Sequence, residues 1–157
     1  MYQLYIKQKV FSWNDKFKVY DEYGNERYYV EGEMFSFGKK LHVFDLNGNE
    51  VAFIEQKVLS FLPRFYTYVR GQQVAEIVKK ITFFKNKYVV EGLGWDVDGS
   101  FLFHEYEITK NGETIVTIRK EYLSWGDCYE MNIANLQDEI VALAVVLTID
   151  CVIDAQS

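Results

Sequence analysis

The sequence has few of the residues that usually divide a chain or carry chemistry. It holds one proline, Pro63, so no proline-rich linker separates two units. It holds two cysteines, Cys128 and Cys151, too few for a disulfide framework, and neither stands in a CxxC. A reactive thiolate needs an electropositive setting, so both are expected to be buried and inert. The two histidines, His42 and His104, lie far apart without ligand spacing, so structural or surface roles are expected and no metal or cofactor. HExxH, GxSxG and P-loop signatures are absent, which removes the commonest catalytic and nucleotide-binding motifs. Met1 to Lys7 form no apolar h-region, so no signal peptide is visible and a cytoplasmic location is expected. Positive charge is not in excess either. The formal net charge is −6, and phosphate neutralisation needs a basic surface, so no nucleic-acid partner is expected.

What the chain does have is apolar and aromatic mass. Apolar residues make up 49% of its 157 residues, and Phe, Trp and Tyr make up 17%. Such a chain is too apolar for disorder and long enough to bury a core without disulfides or metal. One domain over 1–157 is expected.

Alternation of period 2 runs through most of it. Turn signals recur at Tyr23-Gly24-Asn25, Asn47-Gly48, Arg70-Gly71, Asp98-Gly99 and Asn111-Gly112. The pattern predicts strands near 2–9, 16–21, 26–33, 39–45, 50–58, 64–70, 73–79, 81–84, 87–92, 101–109, 113–122 and 128–133. About twelve antiparallel strands joined by short turns imply a sandwich or a closed barrel.

The chain also resembles itself. Tyr28-Tyr29-Val30-Glu31-Gly32 matches Tyr88-Val89-Val90-Glu91-Gly92 at an offset of 60. Asn47-Gly48 matches Asn111-Gly112, and Val58-Leu59-Ser60-Phe61 matches Tyr122-Leu123-Ser124-Trp125, both at an offset of 64. Three matches in order suggest two similar halves, with a four-residue insertion before the second Asn-Gly.

The end of the chain departs from this pattern. Asn135 followed by Asp138 reads as a variant of the capping box, and Asp138 and Glu139 suit the first turn of a helix. A helix over 136–153 is apolar on every face and therefore needs burial on every face. A buried strand rich in Val and Ile is the alternative. The helix is short for a membrane span and Asp150 interrupts its apolar run, so a transmembrane protein is not expected. The fold these readings favour is mainly β, a closed barrel filled along its axis by the apolar C-terminal helix.

The opening Leu4-Tyr5-Ile6-Lys7-Gln8-Lys9 with Asp15-Lys16-Phe17 resembles the first hairpin of the LURP-one-related family, in the tubby C-terminal-like superfamily. The closing Gly126-Asp127-Cys128-Tyr129-Glu130-Met131-Asn132-Ile133 and the helix ending Thr148-Ile149-Asp150-Cys151 resemble its C-terminal signature. Phospholipid scramblases have a similar end. The resemblance covers essentially the whole chain and implies a twelve-stranded barrel around a central helix. It implies no enzyme. Tubby domains bind phosphoinositide head groups through basic barrel residues, and scramblases are lipid-linked.

Two acidic stretches invite a calcium reading. Asp96-Val97-Asp98-Gly99-Ser100 has incomplete ligand spacing and no Glu at the twelfth position, so a plain hairpin turn is expected there. Asp127, Glu130, Asn132 and Asn135 fall where scramblases are thought to bind calcium, yet strand alternation puts Asp127 on the face opposite Glu130 and Asn132.

Charge distribution says more. Residues 57–90 carry Lys57, Arg64, Arg70, Lys79, Lys80, Lys85 and Lys87 against Glu76 alone, a local +6 in a chain of −6. The bland reading is a solvated edge whose lysines prevent edge pairing. The functional reading is an anion or lipid head-group site built on Lys79, Lys80, Lys85 and Lys87. The expected function is therefore a non-catalytic binding or scaffold module whose partner is anionic lipid or another protein. An enzyme with a cleft at a barrel end, or a calcium-linked scramblase-like protein, is the alternative.

Overall fold

The computed structural model describes residues 2–7, 16–35, 38–81, 86–100, 105–123 and 126–155. Its strands are β1 (Tyr2–Lys7), β2 (Lys16–Asp21), β3 (Glu26–Phe35), β4 (Gly38–Phe44), β5 (Glu50–Gln56), β6 (Arg64–Val69), β7 (Gln72–Ile81), β8 (Asn86–Glu91), β9 (Trp95–Ser100), β10 (Glu105–Lys110), β11 (Glu113–Leu123) and β12 (Gly126–Ile133). A 3-10 turn, Leu136–Asp138, leads into the single α-helix, α1 (Glu139–Asp154). Each strand pairs with the next in antiparallel fashion, and β1 closes the barrel onto β12 from Tyr2↔Ile133 to Ile6↔Tyr129. Closure leaves no sheet edge to be blunted.

Alternation decides what points inward. Ile6, Val19, Val30, Val43, Ile54, Phe65, Ile77 and Ile108 are fully buried on the inner face. They meet α1, in which every residue from Ala142 to Val152 is buried. The helix lies along β5, β6 and β7. Buried apolar surface contributes about 25 cal/mol per Å2, so an all-round apolar helix gains most by sitting inside. At about 1.5 Å per residue its sixteen residues span roughly 24 Å. No helix of the described residues is long and apolar enough to cross a membrane.

Polar contacts at both its start and its middle fix the helix in place. Asn135 accepts a hydrogen bond from the Gln137 N–H at 3.1 Å and caps the 3-10 turn. Asp138, expected to complete a capping box, makes no side-chain cap. Glu139 is instead held by Arg27 of β3, whose Nη2 lies 3.2 and 3.3 Å from its two carboxylate oxygens. Deep inside, the Thr148 hydroxyl donates to the Ala144 carbonyl at 2.7 Å and lies 2.8 Å from the Thr67 hydroxyl of β6.

Two strand readings change. The expected strands 73–79 and 81–84 are one strand through Ile81, with 82–85 outside the described residues. Asp98-Gly99 is no hairpin turn but part of β9, and the turn lies earlier, at Gly92 to Gly94. Gly99 has φ +146, and a Cβ there would stand 2.5 Å from the Glu105 carbonyl oxygen and the Tyr106 Cα. Its glycine serves close approach of β10, a use that the Asp-Gly signal for a turn does not distinguish. The internal matches also divide. The offset of 64 links hairpin β4–β5 to hairpin β10–β11, six strands on, whereas the offset of 60 links β3 to β8, five strands on. The two offsets therefore do not describe one six-strand repeat, because β9 and β10 occupy the space that β4 alone occupies earlier.

Candidate functional site

The barrel has two dissimilar ends. At the end where α1 enters, β2–β3, β4–β5, β6–β7, β8–β9 and β10–β11 are joined by tight turns. At the other end the described connection is 57–63, between β5 and β6. The Lys57 N–H donates to the Arg64 carbonyl at 2.9 Å and closes this loop, and the Lys79 N–H donates to the Pro63 carbonyl at 3.3 Å and ties it to β7.

The basic segment spreads over both ends. Lys80 on β7 and Lys87 on β8 are direct cross-strand partners, and both are exposed. Lys57 is exposed at the base of the 57–63 loop, at the same end. Lys79 does not join them. It shares the inward parity of Ala75 and Ile77, is half-buried, and stands opposite the buried Tyr88. Lys85 lies outside the described residues. Arg64 is neutralised by Glu76, with Nη1 2.6 Å from Oε1, and that hydrogen bond raises its pKa. Arg70 sits in the β6–β7 turn at the helix-entry end. The surface the segment offers at one end is thus Lys57, Lys80 and Lys87.

The same end presents apolar side chains to solvent. Leu59 is 100% exposed and Phe61 99%, with Val58 at 45%. Leu59 adopts φ +63, a left-handed conformation that costs an L-residue with a Cβ about 1–2 kcal/mol. The expected strand 50–58 ends at Gln56, and residues 58–61, which enter the sequence pattern only as part of an internal match, belong to the loop. Its signal was available: four apolar residues without alternation, broken by Ser60 and Pro63.

Other clusters have different chemistry. On the outer face of β3–β5, His42 has Nδ1 3.2 Å from Glu50 Oε1 and Nε2 3.2 Å from Glu33 Oε2. Its ring packs over Phe53 at a centroid distance of 5.1 Å. Each ring nitrogen thus lies within hydrogen-bond distance of a carboxylate. A cleft of about 350 Å3 runs beside it, lined by Glu50, Phe53, Tyr68 and Arg70. A second, more open cleft of about 470 Å3 is bordered by Asp98, Glu105, Glu107 and Arg119. His104 lies outside the described residues.

The suggested calcium stretch is occupied by protein cations and amides. Glu130 is buried, and its Oε1 accepts from Arg119 Nη2 at 3.2 Å and from Asn132 Nδ2 at 2.8 Å. Asn135 is spent on the cap. The Asp127 side chain lies outside those described. Among the described residues no group of three or more His, Cys, Asp and Glu side chains is placed to hold a metal. Both cysteines are buried. Within the barrel, burial and then the nearby Asp150 carboxylate push the Tyr106 phenol well above its usual pKa.

A family model described as LURP-one-related matches residues 2–150. The uncharacterized Bacillus subtilis protein YxjI is 39% identical over 153 residues, covering 98% of this chain and 94% of its own. An Arabidopsis thaliana protein solved by X-ray crystallography superposes with a TM-score of 0.62 at 15% identity, over 95% of this chain and 90% of that one. At that identity the likeness speaks for the fold alone.

Proposed function

The chain belongs to the LURP-one-related family, and we propose that it is a non-catalytic binding module that meets the anionic head groups of a membrane from the cytoplasmic side. The observation that carries this reading is the pair Lys80 and Lys87, set directly opposite each other on adjacent strands. Like charges in that relation destabilise a sheet. An anionic ligand converts the repulsion into attraction for both. Lys57 adds a third cation at the same end. Lys79, half-buried and of inward parity, stands apart from these three, and Lys85 lies outside the described residues. A filled interior and a His42 whose two nitrogens face carboxylates support binding over catalysis.

Each lysine close to an anionic surface contributes about 1 kcal/mol, and the attraction fades within a Debye length. Three such cations give about 3 kcal/mol, so charge alone supports only weak, salt-sensitive binding. The test is co-sedimentation with vesicles of phosphatidylcholine, with and without phosphatidylglycerol, at low and high salt. Wild type is expected to pellet with anionic vesicles at low salt and to be released by high salt. A variant carrying Lys79→Gln, Lys80→Gln, Lys85→Gln and Lys87→Gln should lose most of that binding. Equal pelleting of the two proteins removes the lysines from the reading.

A further inference from the structure

The loop 57–63 combines three properties that the barrel does not need. Leu59 and Phe61 lie wholly in water, although the same chain buries comparable side chains throughout its interior. Leu59 is held in a left-handed conformation that Gly or Asn would adopt at lower cost. The loop is not loose at its base, because Lys57 and Arg64 close it, Pro63 is tied to β7, and the Gln56 side chain accepts from the Lys39 N–H at 3.1 Å. A strained backbone on a fixed base therefore projects two large apolar side chains away from the protein.

What they project towards is narrowed by charge. Lys57, Lys80 and Lys87 lie at the loop's end of the barrel with Lys16, Lys39 and Lys40, alongside Glu33, Glu55, Asp98 and Glu105. The helix-entry end carries Asp21, Glu22, Asp45, Glu50, Glu91 and Asp138 against Arg27, Arg70 and Lys110. Exposed apolar residues occur there too, Tyr23 and Leu46 among them, but each sits beside acidic groups that an anionic surface repels. A bilayer with anionic head groups is better matched to the loop's end, where cations outnumber acids among the described residues: lysines meet phosphates, while apolar tips pass beyond them.

We propose that Val58, Leu59 and Phe61 form an insertion prong that anchors this end of the barrel in the interface of an anionic bilayer, with the barrel axis standing on the membrane. The inference rests on the reading of the protein as a lipid-surface module and adds to it the apolar contact. Lysines alone would give binding abolished by salt. A prong whose apolar residues enter the acyl boundary gives binding that salt weakens but does not abolish, and that depends on Leu59 and Phe61.

The experiment compares wild type, the double variant Leu59→Ser/Phe61→Ser, and the double variant Lys80→Gln/Lys87→Gln on the same vesicles. A further variant, Phe61→Trp, reports depth by the fluorescence it adds to that of wild type. Expected are at least a tenfold loss of affinity for the serine variant and a smaller, salt-dependent loss for the glutamine variant. The added indole emission should shift to the blue on binding and be quenched by brominated acyl chains. Wild-type binding unchanged by the serine substitutions, with no blue shift, overturns the prong and leaves head-group binding standing. Failure of wild type to bind anionic vesicles overturns both readings. Sedimentation velocity supplies the remaining arm. If the serine variant turns a dimer into a monomer without altering vesicle binding, the prong meets a second copy of the chain and the inference is wrong.

Discussion

Where α1 enters the barrel, the turns are short and carry their own hydrogen bonds, whereas at the opposite end the 57–63 loop spends backbone strain on exposing apolar groups. Asp45 Oδ1 accepts from the Asn47 and Asn49 N–H groups, each at 2.9 Å, and Asp21 does the same for Tyr23 and Asn25. Asn111 and Gly112 take φ +52 and +81, the conformation a two-residue hairpin asks for. There the residues with positive φ are glycines and Asn111, with Arg70 at φ +50 in the β6–β7 turn as the exception. At the other end Leu59 occupies the same left-handed region with the wrong side chain for it. What sets Leu59 apart from Arg70 is that its strained backbone presents an apolar side chain to water.

The comparison presupposes a helix inside the barrel that holds the two ends apart, and the severest way to break it is Leu147→Asp. Leu147 is 2% exposed, and an unpaired charge there should cost several kcal/mol, on the order of the whole stability of such a domain. The variant should be insoluble or unfolded by urea titration. A soluble protein with an unchanged midpoint would place the helix elsewhere.

A milder pair of substitutions sharpens the contrast. Asn111→Leu puts a leucine where φ is +52 and should destabilise by about 1–2 kcal/mol. Leu59→Asn makes the reverse exchange at φ +63 and should stabilise by about 1 kcal/mol. Urea midpoints should move in opposite directions. If both fall, Leu59 makes a contact that repays its strain, and the ends do not differ as described.

The smallest effect concerns acid. The Asp45 carboxyl is held below its ordinary range first by the Asn49 N–H, with the Asn49 side chain and the Asn47 N–H adding to it. A depressed acid contributes stability above its unfolded pKa of about 4 and loses it as pH falls through the folded value. Asp45→Asn should therefore lower the urea midpoint slightly at neutral pH and by less at about pH 3. An effect that grows on acidification would show that the turn does not depend on the carboxylate.

Much of this was readable in the residues. Period-2 alternation found most of the strands, and the all-round apolar run from Ile140 to Ile149 called for an enclosed helix. Asn111-Gly112 and Asn47-Gly48 fell at turns because both residue types accept positive φ. Asp98-Gly99 misled, because glycine answers two needs, turning and close approach, with one letter. The site was less legible. Net segment charge placed seven cations together, but pairing of Arg64 with Glu76, inward parity of Lys79 and the position of Arg70 at the far end are properties of register. Exposure of Leu59 and Phe61 followed from a loop conformation that alternation does not address.

The closing pairs of β1 with β12 join the most distant strands in the sequence, and α1 follows them both. During synthesis the ribosome therefore delivers all twelve strands before the segment they must enclose. The nascent sheet has to wait, unclosed, with the inner face and the open edges of β1 and β12 in water, until α1 emerges. Long-range closure of this kind is slow and exposed to aggregation. Translation speed through the codons of β12 and α1, and chaperone access during that interval, should govern the yield of folded protein more than the sequence of any single strand.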